Sequence, residues 1–548
     1  MRCLPLMLLA LAVPAAGQDT IPPVPVAADG RDSIPLYTNL GDYSRMITTP
    51  SARAQAYFDQ GLRLTYGFGH PEAVRSFREA VRSDSACAMC WWGVAWALGP
   101  YINAEMDSAS AIDAYAAVQQ AERLKAGATE VERALIEAMA ARYVENPQEE
   151  RAALDTAYMR AMADVVRRHP DDLDAATLYG EALMVLRPWD LWTRSGEPKP
   201  GAPEVLAALE SVLARDIRHP GACHLYIHAV EASAQPARAE ACADLLGARI
   251  PGASHVPHMP SHIYMRIGRY GDAVIANRAA WHVDQQAAYG GAPGIYPSHN
   301  LHMMMTAASF DGQSAVAVQA ARDLARDFPN NAFYPAVILV RFGRWREALE
   351  LPLPDTMDRL HTGIWHFARG YGFLGTARPD SAHASLTALD TVIARTDASA
   401  AFRGHSQRVL LGIARAMLAA DVALHDGDAL TARRTLEAAL PLEDSLEYDE
   451  PEPWPIPLRH VLGDVLLEAG DPLEAERIHR EALLDHPGNG WSLYGLAQSL
   501  RAQGRADEAG AVDAELAARW QRADVWLRGS RFAPRQPAQP APANPHHD

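Results

Sequence analysis

The stretch "HVPHMPSHIYMRIGRYGDA", from His255 to Ala273, combines two patterns that decide how the chain is interpreted. Its second half, "GRYGDA", places Gly268 five residues before the small residue Ala273. The same spacing recurs in "GQSAVA" (312–317), "GRWREA" (343–348) and "GRADEA" (504–509). A glycine just after one helix, followed by a small residue inside the next, is typical of a turn between two packed helices. The spacing therefore predicts a series of helical hairpins.

A longer period connects these hairpins. A shift of 34 residues brings Tyr57 onto Trp91 and Gly61 onto Ala95. In several repeats a small residue is followed by other packing residues at the same fixed distances along the chain. These sets are Gly61/Ala73/Phe77/Ala80, Gly370/Ala382/Leu386/Leu389, Gly463/Ala475/His479/Ala482 and Ala497/Ala509. Self-similarity at this period indicates a repeat array. From Ser51 to Leu516 the chain resembles the tetratricopeptide repeat family. The resemblance implies an all-α, TPR-like α-solenoid of antiparallel helix pairs whose first helices line a concave groove, a fold that commonly binds peptides or proteins.

Composition agrees with a helical array and excludes one class of partner. The chain has 548 residues, of which 49% are hydrophobic, and alanine and leucine are abundant. These residues favour helices. The formal net charge is −17 and no basic block occurs, so we expect no nucleic-acid partner.

The N-terminus predicts export. Arg2 precedes an apolar run, and the small residues of "PAAG" follow it, as in a bacterial secretory signal peptide. No later stretch predicts a membrane span, so we expect a periplasmic or secreted protein. The predicted divisions are a signal peptide (1–17), a linker (18–44), an N-terminal TPR-like array with a histidine-rich groove (45–350), a C-terminal TPR-like array (351–530) and a disordered tail (531–548).

Two loop insertions interrupt the predicted array, near residues 187–203 and 282–298. Long loops in a compact array are often functional. The first contains Trp189 and Trp192, which either cap the groove or cover an exposed edge of the solenoid. The second, with the stretch "YGGAPGIYP", forms either a mobile lid beside His299 or an ordered connector.

Four cysteines remain after the signal peptide: Cys87, Cys90, Cys223 and Cys242. Cys87 and Cys90 form a CxxC motif without a following histidine, so no haem is predicted. A structural disulfide is the main interpretation of this motif, with redox-active or metal-binding thiols as alternatives. A disulfide between Cys223 and Cys242 would brace two paired helices.

The histidines follow the repeat period. His224, His228 and Glu231 occupy positions i, i+4 and i+7, which lie on one helix face. Adding 34 residues to the two histidines gives His258 and His262. In the following repeat, Met305 is the counterpart of Ser261. With these two residues aligned, His302 corresponds to His258, and His299 corresponds to His255. Three successive first helices therefore carry histidines at matching positions.

The resemblance implies that His224, His228, His258, His262 and His302 face one groove, with Glu231, His255 and His299 at its edge or wall. Neighbouring helices pack roughly 8–10 Å apart, so imidazoles on two of them can reach a common ion. We therefore predict one or two transition-metal sites for Zn, Cu or Fe, with Glu231 as ligand, orienting group or general base.

Several functions remain open at this stage. A metalloenzyme, hydrolytic or redox, is one hypothesis, although the HExxH motif is absent. A metal-delivery protein without turnover is another, and a scaffold that binds peptides or proteins is a third. The expected ligands are a small molecule or peptide in the groove, and a protein partner is an additional expectation. The acidic stretch 450–452 is interpreted as a solvated loop.

Overall fold

The computed structural model describes residues 34–145, 151–287, 289–290 and 293–534, and the regular secondary structure of these residues is almost entirely helical. The helices of the first half are α1 (Ala52–Tyr66), α2 (His70–Ser83), α3 (Ala88–Ala97), α4 (Ser108–Leu124), α5 (Glu130–Ala140), α6 (Arg151–Arg168), α7 (Leu173–Val185), α8 (Ala202–Leu213), α9 (Pro220–Val230), α10 (Glu240–Leu246), α11 (His255–His258), α12 (Pro260–Arg266), α13 (Tyr270–Ala287), α14 (Pro297–Phe310), α15 (Ser314–Asp327), α16 (Tyr334–Arg341) and α17 (Trp345–Glu350).

The second half continues the same pattern. Its helices are α18 (Arg359–Leu374), α19 (Pro379–Arg395), α20 (Gln407–His425), α21 (Ala429–Glu443), α22 (Leu458–Glu468), α23 (Pro472–Asp485), α24 (Gly490–Ala502) and α25 (Ala506–Arg519). A two-stranded antiparallel hairpin, β1 (Ala401–Phe402) with β2 (His405–Ser406), precedes α20. Three short 3-10 helices lie at Lys125–Gly127, Pro236–Ala239 and Pro329–Asn331.

Close packing between helices confirms the repeat predicted from the sequence. The ring of Phe77 on α2 lies against Gly61 of α1 and Gly93 of α3, and neither glycine has room for a side chain there. A fully buried aromatic ring therefore fills the contact between three consecutive helices.

The corresponding contact recurs near the other end of the array. The ring of His479 on α23 lies against Gly463 of α22 and Gly495 of α24 in the same way. This is the offset predicted from the sequence, with an imidazole in place of a phenyl ring. The helix pairs at the two ends of the array thus share one packing arrangement.

The two predicted insertions differ in outcome. The loop after α7 is present, and a bridge between Trp192 and Pro198 orders it. The second prediction was wrong at its start, because α13 continues as a helix to Ala287. The connection is therefore shorter than the stretch 282–298 suggested.

The predicted linker was also wrong over its last part. Ile34 and Leu40 are 2% and 1% exposed, so this segment packs into the core. The hydroxyl of Tyr43 donates a hydrogen bond to Asp174 of α7 at 2.8 Å. Hydrophobic burial and a buried hydrogen bond hold residues 34–43 against the array. The predicted signal peptide and the first part of the linker lie outside the described residues.

The C-terminal segment returns to the first half of the molecule. The indole of Trp520 donates to the carbonyl of Phe310 at 3.1 Å. The carboxylate of Asp524 accepts the backbone N–H groups of Ser314 and Ala315, at 2.7 and 2.9 Å, at the start of α15. The two predicted arrays are therefore in direct contact.

The predicted disordered tail begins too early. Arg531 is 7% exposed and pairs with Asp421 and Asp464. Burial of these three charges together requires an ordered backbone at this position. The rest of the predicted tail, from residue 535, lies outside the described residues.

Both predicted disulfides are present, joining Cys87 to Cys90 and Cys223 to Cys242. The second ties α9 to α10 and so braces the first histidine-bearing helix. Among the described residues, no helix combines the length and the apolar character needed to span a bilayer.

Candidate metal centre

Local sequence explains how the histidines come to face one another. Pro220 occupies the first turn of α9, and the side chain of His219 caps the helix by accepting the N–H of Ala222 at 3.1 Å. The α9 helix then places His224 and His228 one turn apart. The next histidine-bearing segment is split into α11 and α12 at Met259.

The first group of histidines joins two of these segments. His224 and His228 of α9 meet His255 of α11, and one nitrogen from each ring lies within 4.8 Å of the other two. The Nε2 atoms of His224 and His255 are 3.2 Å apart. All three residues are at most 6% exposed. We call this set the first histidine group.

The second group lies directly beside the first. His258 of α11, His262 of α12 and His299 of α14 bring one nitrogen each within 4.8 Å of the other two. The Nε2 atoms of His258 and His262 are 2.8 Å apart. The ring centroids of His255 and His258 are separated by only 5.6 Å, so the two groups share a wall. We call this set the second histidine group.

Acceptors hold the Nδ1 atoms of these rings. The Nδ1–H of His224 donates to the carbonyl of Tyr66 at 2.5 Å. That of His258 donates to Oδ1 of Asn277, also at 2.5 Å. A carbonyl or amide oxygen can only accept, so each Nδ1 carries the proton and each Nε2 keeps its lone pair. Histidines that bind metal commonly donate their other ring N–H to an oxygen in this way.

Glu231 anchors two further imidazoles. Its Oε1 accepts Nδ1–H of His228 at 2.8 Å, and its Oε2 accepts Nδ1–H of His262 at 2.6 Å. The hydroxyl of Tyr448 donates to the same Oε2 at 3.1 Å. Glu450 supplies a second carboxylate, with Oε2 at 2.8 Å from Nδ1 of His262. Both carboxylates therefore orient rings whose Nε2 atoms face the histidine groups.

The short distance between His258 and His262 requires a proton or a metal ion between their Nε2 atoms. With both Nδ1 atoms donating outwards, the two Nε2 lone pairs would face each other at 2.8 Å. A proton on His262 or a bound metal ion satisfies this contact. A proton needs only two nitrogens, whereas the nearby nitrogen of His299 makes a third. Three converging imidazole nitrogens fit a metal, for which bound nitrogens in a tetrahedral site lie about 3.3 Å apart.

Burial keeps most of the rings neutral. It lowers the pKa of His224, His255, His258 and His299, and it lowers the pKa of His228 to about 3. Neutral imidazole is the form that binds metal, so these rings are available at every pH in the physiological range.

Two side chains, His262 and Glu450, have a raised pKa instead. Burial alone would lower the pKa of His262, but the charges of Glu231 and Glu450 raise it to about 10. Burial and the charge of Glu231 raise the pKa of Glu450 to about 7. A metal bound by His262 must therefore displace a proton from this residue, or from the carboxylate beside it.

Aromatic side chains enclose the first histidine group. Phe68 stacks on His228 and His255, with centroid distances of 5.7 and 5.5 Å. Tyr296 meets the ring of His255 edge-on at 5.1 Å. From the loop after α7, Trp189 meets His228 edge-on at 5.0 Å, so this loop contacts the histidines as a cap would. Apolar walls of this kind exclude water and strengthen electrostatic interactions inside.

Three residues lie elsewhere than the sequence predicted. Glu231 and His255 were expected at the edge or wall of the groove, but they are only 0% and 2% exposed and lie among the other imidazoles. His302 was expected to face the other imidazoles, yet it belongs to neither histidine group. Its Nδ1 instead accepts a hydrogen bond from Arg403 at 2.6 Å. The turn of α14 points this ring toward the C-terminal half of the chain.

Sequence reasoning missed the contributions of the C-terminal half. The acidic stretch 450–452 was interpreted as a solvated loop, which was wrong for Glu450, whose side chain is 12% exposed and contacts His262. Arg403, at the turn of the β1–β2 hairpin, donates to the carboxylate of Asp449 and the carbonyl of Glu450 at 2.5 and 2.7 Å. No repeat spacing connects these residues to the histidines, so only the folded chain reveals them.

A comparison with protein families agrees with the architecture. A profile described as tetratricopeptide repeat matches residues 466–526, which include α23 and α24 and end beyond α25. Together with the helix pairs that precede this segment, the match shows a helical solenoid of tetratricopeptide repeat type. No curated protein sequence matches the chain.

Solved structures similar to this chain are also helical repeat proteins. The human IFIT1 dimer with PPP-AAAA covers 86% of this chain and 91% of its own, with 11% identity and a TM-score of 0.30. Cut9–Hcn1 of the APC/C covers 86% and 74%, with 14% identity and a TM-score of 0.28. Yeast Tom70 covers 85% and 91%, with 13% identity and a TM-score of 0.26. At these scores the similarities carry no functional information.

Proposed function

We propose that this protein is a metalloprotein that holds transition-metal ions in its two histidine groups. The observation that carries the proposal is the pair of Nε2 atoms of His258 and His262, which face each other at 2.8 Å while both Nδ1 atoms are held by other acceptors. His299 adds a third nitrogen to this pair. The first group offers a similar set of three nitrogens beside it.

The types of ligand in the two histidine groups limit which metal ions can bind. Each group consists of imidazoles, which as ligands suit Zn, Cu and Fe and disfavour Mg and Ca. The roles of the carboxylates follow from their contacts. Both oxygens of Glu231 accept hydrogen bonds from imidazoles, so we assign it the role of orienting ligands rather than that of a general base. When bound, the metal would supply Lewis-acid or redox chemistry, and the aromatic wall would keep bulk water away from it.

The two disulfides and the predicted signal peptide support a location for this protein. Both disulfides are consistent with an oxidising compartment, as proposed from the signal peptide at residues 1–17. We therefore place this metalloprotein in the periplasm or outside the cell.

Metal analysis of purified protein tests the proposal. The mature protein, loaded with Zn, Cu or Fe and then desalted, is expected to retain up to two ions per chain by elemental analysis. The double variant His258→Ala/His262→Ala removes two of the three nitrogens of the second group, and it should lose that group's ion. The double variant His224→Ala/His228→Ala should lose the other.

A matched control separates the site from histidine content in general. His282 on α13 is exposed and contacts Gln286 at 3.0 Å, outside both groups. The variant His282→Ala should keep the full metal content of the parent protein. Negligible metal in the parent protein, or equal metal in all variants, would overturn the proposal.

A protein-binding scaffold is the second candidate, because exposed apolar side chains occur in the recognised repeat. Leu473, Leu484 and Trp526 are 69%, 81% and 84% exposed. Leu484 also lines an open groove of about 520 Å³, together with two basic residues, Arg238 and Arg266, and one acidic residue, Asp485. This combination fits a peptide with apolar and acidic side chains.

Peptide binding can be measured separately from metal content. Fluorescence anisotropy with labelled acidic–apolar peptides should report binding to the parent protein and weaker binding to Leu484→Glu. A scrambled, basic peptide set serves as control. Equal binding of both peptide sets, or of both proteins, would contradict the scaffold function.

A further inference from the structure

Arg341 is a buried cation without a counter-charge. It ends α16, is 2% exposed, and its guanidinium stacks on the ring of Trp491 at 4.1 Å. Across the described residues its side chain has a single hydrogen-bond partner, Nδ1 of His460 at 3.0 Å. A buried charge without a partner is strongly unfavourable, so folded proteins pair such groups.

Other buried arginines of this chain are paired. Arg531 is 7% exposed and contacts the carboxylates of Asp421 and Asp464. Arg142 is 1% exposed, pairs with Asp155 at 3.4 Å and donates to the carbonyl of Pro100 at 2.7 Å. Arg341 thus differs from these two buried arginines, because it contacts no carboxylate among the described residues.

The atoms of Arg341 that lack a hydrogen-bond partner form one edge of the guanidinium. Its Nε and Nη2 atoms are both buried and have no partner among the described residues. These two N–H groups lie side by side and form the fork that binds a carboxylate or phosphate with two parallel hydrogen bonds. The unpaired atoms therefore have the geometry of an oxyanion receptor.

The contact with His460 defines a further donor. Arginine can only donate, so Nδ1 of His460 must accept, and the proton of this neutral imidazole is on Nε2. That Nε2–H is also buried and without a partner in the described chain. Burial lowers the pKa of both side chains, to about 9 for Arg341. A nearby negative charge would oppose this effect.

More unpaired polar groups lie on the segments around the Trp491 ring. Nδ2 of Asn489 and Oγ of Ser492 flank Trp491 in the chain, and both are buried without a partner among the described residues. The indole of Trp491 donates to the carbonyl of Ser309 at 2.9 Å, and the Oγ of that serine is unpaired as well. Hydroxyl and amide donors of this kind complete the coordination of bound oxyanions.

From these contacts we propose that Arg341 and the surrounding donors bind a small oxyanion, a carboxylate or a phosphate. The site is separate from the metal centre. His299 lies near the start of α14 and Phe310, which faces the guanidinium, ends it, so the two sites are about 16 Å apart along this helix. The donors come from both predicted arrays, so the anion would join them.

Titration of the full chain tests the proposal. Protein prepared in anion-poor buffer is titrated with inorganic phosphate and, separately, with acetate, and heat and thermal unfolding are recorded. Saturating anion should raise the Tm by about 2–4 °C. The anion that binds more tightly shows whether the site prefers a phosphate or a carboxylate. Ion chromatography of denatured protein shows whether either anion was retained through purification.

The variant Arg341→Met keeps the apolar contact with Trp491 and removes the charge. It should show no response to either anion, and in anion-poor buffer its Tm should exceed that of the parent protein, because it buries no unpaired charge. Arg369→Met is the matched control, since Arg369 also stacks on a tryptophan, Trp365, at 4.6 Å. This control should respond to anion as the parent protein does.

Two results would overturn the proposal. One is that the parent protein shows neither heat nor a Tm shift with either anion and retains none on purification, which decides the question even if Arg341→Met does not fold. The other is an equal shift in Arg341→Met. Metal content is measured in the same samples, and it should be unchanged in Arg341→Met, so the two sites succeed or fail independently.

Discussion

Glu450 and His262 come from opposite halves of the chain, yet Oε2 of the first lies 2.8 Å from Nδ1 of the second. The C-terminal half therefore supplies a carboxylate to an imidazole of the N-terminal half. Arg403 holds the carboxylate's loop in place by donating to the carbonyl of Glu450 at 2.7 Å. The histidine-bearing helices and the loop before α22 therefore form one structural unit.

Replacing Glu450 by glutamine tests this relationship. Glu450→Gln keeps the size of the side chain but removes the charge that orients and polarises His262. We expect metal affinity to fall by about 10–100-fold, as is typical when a carboxylate that accepts a hydrogen bond from a metal-binding histidine is lost. Competition with a chelator of known affinity measures the change. Glu447→Gln, three residues earlier and exposed, should behave like the parent protein, and a similar loss in both variants would contradict the assignment.

Trp189 should slow the exchange of metal at the first histidine group. It meets His228 edge-on at 5.0 Å and is 42% exposed, so it covers the group from the solvent side. Trp189→Ala removes a contact worth about 0.5–1.5 kcal/mol, and transfer of metal to a chelator should become up to about tenfold faster. Stopped-flow transfer to a chromophoric chelator measures the rate. Trp526→Ala, on the exposed C-terminal segment, should leave the rate unchanged.

The disulfide between Cys223 and Cys242 should stabilise the first histidine-bearing helix. It encloses a loop of 19 residues and joins α9 to α10. Replacing both cysteines by serine should lower the free energy of unfolding by about 3 kcal/mol, mainly through greater freedom of the unfolded chain. Urea denaturation measures the loss. The Cys87→Ser/Cys90→Ser variant opens a much shorter loop and should lose less, and a larger loss there would contradict this reasoning.

His479 should make the protein sensitive to acid, and phenylalanine should remove that sensitivity. Burial lowers the pKa of His479 to about 3, against about 6.5 when unfolded. The unfolded chain thus binds the proton first, and stability falls as the pH decreases from 6.5 towards 3. At pH 5 the loss amounts to about 2 kcal/mol relative to pH above 7.

The variant His479→Phe reproduces the packing seen at Phe77, between two glycines of neighbouring helices. It should unfold at higher urea concentration at pH 5, with a smaller gain at pH 7, because neither buried ring nitrogen of His479 has a partner in the described chain. His282→Phe, at an exposed position, should not change the pH dependence. An equal gain at both pH values would show that packing alone is responsible.

Much of the fold was predictable because the repeat is local. Small residues at fixed offsets, such as Gly61 before Phe77, describe contacts between helices that are adjacent in sequence. The same reasoning placed His224 and His228 one period before His258 and His262, and the structure brings these four rings together. Short-range periodicity contains this information because each repeat packs mainly on its neighbours.

The remaining parts of the site depend on contacts between distant segments. Glu450 and Tyr448 approach the histidines because the C-terminal half folds back, and no spacing in the sequence encodes that approach. His302 fitted the repeat register, but the hairpin bearing Arg403 provides it with a different partner. Register predicts which way a residue faces, whereas the identity of its neighbour depends on the path of the whole chain.

The return of the C-terminal segment, with Trp520 and Asp524 bonded to the ends of α14 and α15, has a consequence for biosynthesis. The imidazoles leave the ribosome long before Glu450, and the residues that fasten the two halves come later still. A nascent chain that acquired metal early would hold it without its second carboxylate. Completion of the centre therefore depends on synthesis of nearly the whole polypeptide, and a premature stop after α20 would leave His262 without the carboxylate of Glu450.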